Sequence, residues 1–178
     1  HHRGSFNDPR LELHHVDAMQ FLEQTSDKFD IMIIDVPDPL EGGPAYLLYT
    51  QEFYDLLREH LHSDGMMVTQ AGPTGPAFYD QCFSVVAKTI ESVFPSVHPY
   101  EAFVPSFGST WGFIIGSLEP DPSALSAEKV ERRISECVDH TLRHYDYIAH
   151  QGMFSLPKYL RIALANESKI ITRSEPLF

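Results

Sequence analysis

Apolar and polar positions along this chain switch between two periods, and the switches predict an ordered series of strands and helices. Phe29-Asp30-Ile31-Met32-Ile33-Ile34-Asp35 is a run of β-branched and apolar residues that ends in an acid. Such a run reads as a buried parallel strand with polar function at its carboxyl end. Thr50–Leu61 places Phe53, Leu56, Leu57 and Leu61 on one helical face. Ser63-Asp64-Gly65 reads as a turn, and Met66–Gln70 as the next strand. Ala77–Phe94 reads as a second long helix, followed by two strands, Val97–Val104 and Trp111–Leu118, paired antiparallel at the end of the sheet. Ser126 can cap a helix running towards Ala149, with Val130, Ile134, Val138, Leu142 and Tyr145 as its apolar stripe. Ahead of all these, Arg10–Val16 reads as a short strand and Ala18–Glu23 as a short helix, while the segment after Asn166 is weakly patterned.

Strands alternating with helices predict an open α/β sheet. Ligands of such sheets bind beyond the carboxyl ends of the strands. Asp17, Asp35, Asp38 and Gln70 all fall at predicted strand ends, which makes that edge the expected site. With 178 residues and 43% hydrophobic content, the chain is long enough to bury one substantial core. No apolar run is long enough to span a bilayer. The net charge of −12 carries no basic patch for nucleic acid and favours cationic partners. Two cysteines, Cys82 and Cys137, are too few for a disulfide framework and point to a reducing cytoplasm.

Asp35-Val36-Pro37-Asp38-Pro39 is the first candidate for chemistry. Two carboxylates three residues apart on a proline-stiffened loop can face one cavity. Each offers several acceptors to an ammonium, and one can serve as a general base. The same pair would also suit plain loop capping. Gly42-Gly43-Pro44 permits close backbone approach, and the aromatics after it, Tyr46 among them, can wall a pocket. Gln70 offers an amide at a strand end. The loop Pro105–Trp111 offers Phe107 and Trp111, whose ring faces attract cations, although core packing is the commoner fate of such residues. The ten histidines show no zinc spacing, so no metal is expected. Neither a Gly-x-Ser-x-Gly elbow nor a Gly-x-Gly-x-x-Gly dinucleotide loop occurs.

In order and spacing, Asp35-Val36-Pro37-Asp38-Pro39, Gly43-Pro44-Ala45, Leu48-Tyr49, Phe53-Tyr54 and Val68-Thr69-Gln70-Ala71-Gly72 resemble the spermidine synthases, a family of polyamine aminopropyltransferases. Asp8-Pro9-Arg10, Asp17 and Phe21-Leu22 resemble the segment before these. Tyr145-Asp146, His150–Phe154 and Leu156–Leu160 resemble the family's C-terminal helix and tail in bacterial and thermospermine-type members. The resemblance implies a Rossmann-like, class I S-adenosylmethionine-dependent methyltransferase fold. It also implies transfer of an aminopropyl group from decarboxylated S-adenosylmethionine, a co-substrate, to putrescine or a longer polyamine, with no cofactor.

The resemblance assigns roles as well. Asp35 looks like the base. Asp38, Gln70, Tyr46, Phe107 and Trp111 look like acceptor-binding residues, and Asp17, Ala18, Pro44, Ala45 and Leu48 like donor-binding residues. The position of Phe107 is tyrosine in many members, and Gly72 stands where some eukaryotic members carry an acid. Gly42–Tyr46 and Ser106–Gly112 look closer to the thermospermine branch, which points to a longer acceptor. The family's β-hairpin domain, glycine-rich loop and ribose-binding acid have no counterpart here. Residues 1–178 are therefore expected to be a C-terminal catalytic domain truncated at its N-terminus, with sheet edges left bare. A homo-oligomer, dimer or tetramer, is implied. A methyltransferase of the same fold and a non-catalytic polyamine-binding module remain open as alternatives.

Overall fold

A computed structural model of the chain describes residues 4–39 and 45–177. Strands β1 (Phe29–Ile34), β2 (Leu61–Pro73), β3 (Ser96–Val104) and β4 (Ser109–Ser117) form one mixed sheet. Their order in it is β1-β2-β4-β3. β1 runs parallel to β2, while β4 is antiparallel to both β2 and β3. The helices are α1 (Ala18–Gln24), α2 (Gln51–Glu59), α3 (Phe83–Glu91), α4 (Ala127–Cys137), α5 (Tyr147–Phe154) and α6 (Lys158–Asn166).

Local chemistry explains the helix starts. Asp17, Thr50, Ser126 and Asp146 each accept a backbone N–H of the first turn, at the head of α1, α2, α4 and α5. The core lies on one face of the sheet, where Tyr49, Phe53, Tyr54, Leu57, Met67, Phe83, Ile90 and Ile114 are fully buried. Gly112, Ile114 and Gly116 succeed one another on that face of β4 and make it a flat bed for α3. A Cβ at Gly112 would lie 2.3 Å from the Phe83 ring, and one at Gly116 would lie 2.8 Å from the Phe94 ring. The helix therefore sits as close to the sheet as backbone allows.

Several sequence expectations need correction. Arg10–Val16 forms no strand: its side chains are exposed, and no strand among the described residues pairs with it. Asp17 accordingly caps a helix rather than ending a strand. Ser63-Asp64-Gly65 is not a turn between elements but a bulge inside β2: Phe29 pairs with Leu61 and Ile31 with Met66, so His62–Gly65 loop out. Gly65 is needed there because a Cβ would lie 2.9 Å from the His62 carbonyl oxygen. The helix expected from Ala77 starts at Phe83, since residues 77–82 make turns. The helix expected to reach Ala149 stops at Cys137, and the chain resumes helix only after Asp146. Its proposed stripe splits accordingly: Val130 is buried in α4, whereas Leu142 and Tyr145 lie in the connection.

The weakly patterned tail is packed. Ile171 is 1% exposed, and its carbonyl accepts the Gln51 N–H at 2.8 Å while its own N–H donates to Thr89 Oγ1 at 3.0 Å. The β1 run is not buried on both faces as its sequence suggests. Met32 points into the core, but Ile31 and Ile33 are 60% and 73% exposed on the edge strand of the described sheet.

Gly112→Ala is expected to destabilise the chain by about 1–3 kcal/mol, because the methyl must displace the Phe83 ring or bend β4. Urea unfolding checks this, and an unchanged midpoint would show that α3 does not rest on Gly112.

Candidate functional site

β1 ends at Ile34, and the chain then passes through Asp35, Val36, Pro37 and Asp38 beside the carboxyl half of β2. The two prolines keep this segment extended and out of helix. A cavity of about 870 Å³ opens against it on the sheet face opposite α3. Asp35, Asp38, Gln70, Phe107 and Trp111, five of the residues singled out from sequence, all line it. Ile33, Val68, Tyr100, Val104 and Phe113 complete most of an apolar wall. Carboxylates at one end and aromatic faces along the sides suit an aliphatic cation, which needs both a counter-charge and a place for its methylenes.

Gln70 is the hub of the polar end. Its Oε1 accepts the Trp111 indole N–H at 2.7 Å and the Gly72 backbone N–H at 2.9 Å. Both of those groups are donors only, so the oxygen of the amide must face them. The amide nitrogen then faces three acceptors: the Val36 carbonyl at 2.8 Å, Asp38 Oδ1 at 2.9 Å and the Tyr49 hydroxyl oxygen at 2.6 Å. One Asp38 oxygen is held in this way. Phe107 lies at the mouth, 58% exposed, with its ring centroid 4.6 Å from that of Trp111.

Gly72 adopts φ +79°, and a Cβ there would sit 2.3 Å from Cys82 Sγ. No side chain enters this position without movement of the thiol. Cys82 donates its S–H to the Ala71 carbonyl at 3.1 Å. Burial first, and then the nearby Asp38 charge, push its pKa up to about 12.

The residues expected on the donor side are placed less compactly. Asp17 Oδ1 accepts the Gln20 N–H at 2.9 Å, which leaves its second oxygen uncommitted among the described residues. Ala18 lines a second cavity of about 380 Å³ together with His14, Phe21 and Met32. Ile33 and Ile34 belong to both cavities, so the two are neighbours across the end of β1. Ala45 is buried ahead of a short 3-10 helix, Tyr46–Tyr49, and Leu48 packs against the core. Tyr46 is half-buried and does not line the large cavity. Pro44, with Gly42 and Gly43, lies outside the described residues.

Sequence reasoning missed Tyr100 and Phe113 as walls and Tyr49 as a polar partner. Tyr100 and Phe113 are directly paired across β3 and β4, and their rings stack with centroids 5.2 Å apart. Opposed aromatics on one face of a hairpin were the available signal. Tyr49 was legible only as one of the aromatics after Gly42-Gly43-Pro44, and nothing local pairs its hydroxyl with Gln70. Among the described residues, no group of three or more His, Cys, Asp or Glu side chains is arranged to hold a metal ion. No helix among them is long and apolar enough to cross a membrane.

Residues 1–125 match the spermine/spermidine synthase domain family. The polyamine aminopropyltransferase of Sulfurisphaera tokodaii is 40% identical over 176 residues, which cover 99% of this chain and 57% of that protein. The polyamine aminopropyltransferase of a Synechococcus strain is 37% identical over 178 residues, covering 98% of this chain and 57% of that protein. The chain thus spans a little over half the length of these relatives. Among solved structures, a spermidine synthase in complex with the transition state analogue AdoDATO aligns with TM-score 0.76 at 26% identity, over 93% of this chain and 54% of its own. The spermidine synthase of Thermotoga maritima aligns with TM-score 0.72 at 23% identity, over 93% and 53%. The mixed sheet described above is part of the class I methyltransferase-like fold of those structures.

The two thiols should differ sharply in reactivity. Cys137 is exposed and Cys82 is buried. The thiolate is the reactive form, and Cys82 stays protonated until the pH approaches 12. An aromatic disulfide reagent at pH 8 is expected to titrate one thiol rapidly in the native chain and both after denaturation. Rapid titration of both in the native state would contradict the burial of Cys82 beneath Gly72.

Proposed function

From membership in the spermine/spermidine synthase family, to which this chain belongs, we propose that the complete native polypeptide is a polyamine aminopropyltransferase. It moves the aminopropyl group of decarboxylated S-adenosylmethionine to putrescine or a longer polyamine, with residues 1–178 as its C-terminal catalytic domain. The observation that carries this reading is the cavity at the carboxyl end of β1, shared by Asp35, Asp38 and four aromatic rings. The names of the relatives support the same reaction.

In this reading the reaction is one direct displacement. The lone pair of a primary amine attacks the aminopropyl carbon bound to the sulfonium. The C–S bond breaks with its electrons passing to sulfur, and methylthioadenosine leaves neutral. The amine must first lose a proton. An alkylamine resembles lysine, with a pKa of about 10.4, so roughly one molecule in 2,500 is neutral at pH 7. That deficit corresponds to roughly 4.6 kcal/mol. Asp35 accepts the proton as attack proceeds, and Asp38 holds the amine in line, which lowers the entropic barrier. Gln70 supports Asp38, while Trp111 and Phe107 are assigned to the acceptor's approach.

The donor's adenosine is assigned to the second cavity, beside Ala18, with Asp17 on the adenine amino group and Pro44, Ala45 and Leu48 around the methylthioadenosine. The adjacency of the two cavities across Ile33 and Ile34 supports this path, because the sulfonium must lie between adenosine and acceptor. The acidic balance of 25 Asp and Glu against 13 Lys and Arg favours the approach of polycations. A homo-oligomer, dimer or tetramer, in the cytoplasm completes the proposal.

Release of methylthioadenosine from decarboxylated S-adenosylmethionine plus an amine tests the reading. Asp35→Asn is expected to lower kcat by roughly 10²–10⁴-fold, the usual worth of a general base. Asp38→Asn is expected to raise KM for the amine more than it lowers kcat. Near-wild-type turnover in the Asp35 variant would sink the base assignment. Methyl transfer from S-adenosylmethionine in place of aminopropyl transfer would overturn the proposal as a whole.

A further inference from the structure

Among the described residues, Tyr49 is the phenol whose hydroxyl meets the Gln70 amide, a role that the sequence pattern does not give it. The side chain is 0% exposed. Its oxygen lies 2.6 Å from Gln70 Nε2, and its hydrogen is directed to the Val36 carbonyl at 3.3 Å. Val36 stands between Asp35 and Asp38, and the same carbonyl accepts from Gln70 at 2.8 Å. The hydroxyl is therefore the third corner of a small closed set: Tyr49 to the Val36 carbonyl, Gln70 to the same carbonyl, and Gln70 to Tyr49. Asp38 is attached to that set through Oδ1.

The orientation of the set is not free. The donors Trp111 Nε1–H and Gly72 N–H lock the amide so that its NH₂ faces inward. An NH₂ group has two hydrogens, and three acceptors surround it. A phenol at the inner corner relieves this mismatch, because it accepts from the amide and also supplies the Val36 carbonyl with a donor of its own. Burial, and then the charge of Asp38, hold the phenol protonated well above its ordinary range, so the hydroxyl keeps its donor role throughout the working pH range. A phenylalanine would fill the same space in the core but take away the phenol's donor to the Val36 carbonyl and its acceptor beside the amide, so the amide hydrogens would be shared anew between that carbonyl and Asp38.

We propose that Tyr49 is a positioning residue for the amine acceptor: its hydroxyl fixes Gln70 and the Val36 carbonyl, and through them the Asp38 carboxylate, without itself touching substrate. This rests on the reading of the large cavity as the amine site. Because the residue acts behind the carboxylate pair and away from the second cavity, its loss should weaken the acceptor and leave the donor product unaffected.

The test is calorimetric titration of the complete native polypeptide, wild type and Tyr49→Phe, with putrescine and separately with methylthioadenosine. Tyr49→Phe is expected to lower putrescine affinity on the order of tenfold, the effect of one buried hydrogen bond, with methylthioadenosine affinity unchanged. The same substitution in a Gln70→Ala background is expected to have no further effect on putrescine, since the hydroxyl acts through that amide. Equal putrescine affinity in wild type and Tyr49→Phe overturns the assignment. So does a parallel loss of methylthioadenosine binding, which marks a general structural defect, and so does an undiminished effect in the Gln70→Ala background. Wild-type protein that binds methylthioadenosine but neither putrescine nor a longer polyamine overturns the amine-site reading itself.

Discussion

The parallel register of β1 on β2 positions nearly everything at the polar edge of this sheet. Ile31 pairs with Met66, Met32 with Met67, Ile33 with Val68 and Ile34 with Thr69. The next residue along each chain segment is then a polar one, Asp35 just after β1 and Gln70 within β2. Side chains alternate between faces with a period of two, so a slip of one residue would exchange Met32 for Ile33 in the core and turn Gln70 to the wrong side. The bulge at His62–Gly65 sets four residues of β2 against Asp30 alone on β1 before this register begins, and Gly65 makes it possible. A feature at the amino end of the strand therefore sets where chemistry-bearing groups stand at its carboxyl end.

Once that register is set, hydrogen-bond bookkeeping decides the rest of the site. Gln70 is 7% exposed, and a buried amide left without partners would be costly. Trp111 and Gly72 satisfy its oxygen, and Val36, Asp38 and Tyr49 surround its nitrogen. The result ties β2, β4, the loop after β1 and the short helix before α2 into one rigid corner. Rigidity there has a chemical purpose if the ligand is an amine, because a carboxylate that wanders cannot hold a nucleophile in line.

The opposite face of the sheet is built by different means. Gly112 and Gly116 remove side chains from β4 so that α3 can descend on Ile114, and the tail closes the same core with Ile171. The apolar face is thus packed tightly while the cavity face stays open, with Ile31 and Ile33 in solvent on β1. This asymmetry explains why β1 reads as doubly buried but is not. Its composition records the apolar surroundings that such a strand suits, and only the arrangement of strands tells how many of its faces are covered in the described sheet.

What the sequence by itself determined was local and chemical. It contained the alternation of strands and helices, the cap at Ser126, the β3–β4 hairpin, and the strand-end polarity of Asp35, Asp38 and Gln70. These are legible because capping, periodicity and strand-end polarity depend on residues a few positions apart. Tertiary structure alone decided the bulge in β2, the break after Cys137, the anchoring of Ile171, and the partnership of Tyr49 with Gln70 across 21 residues. Those outcomes depend on which groups meet after the chain has closed on itself. A phenol between Leu48 and Thr50 carries no mark of the amide it will face, and that pairing follows from the geometry of packed elements rather than from any pattern along the chain.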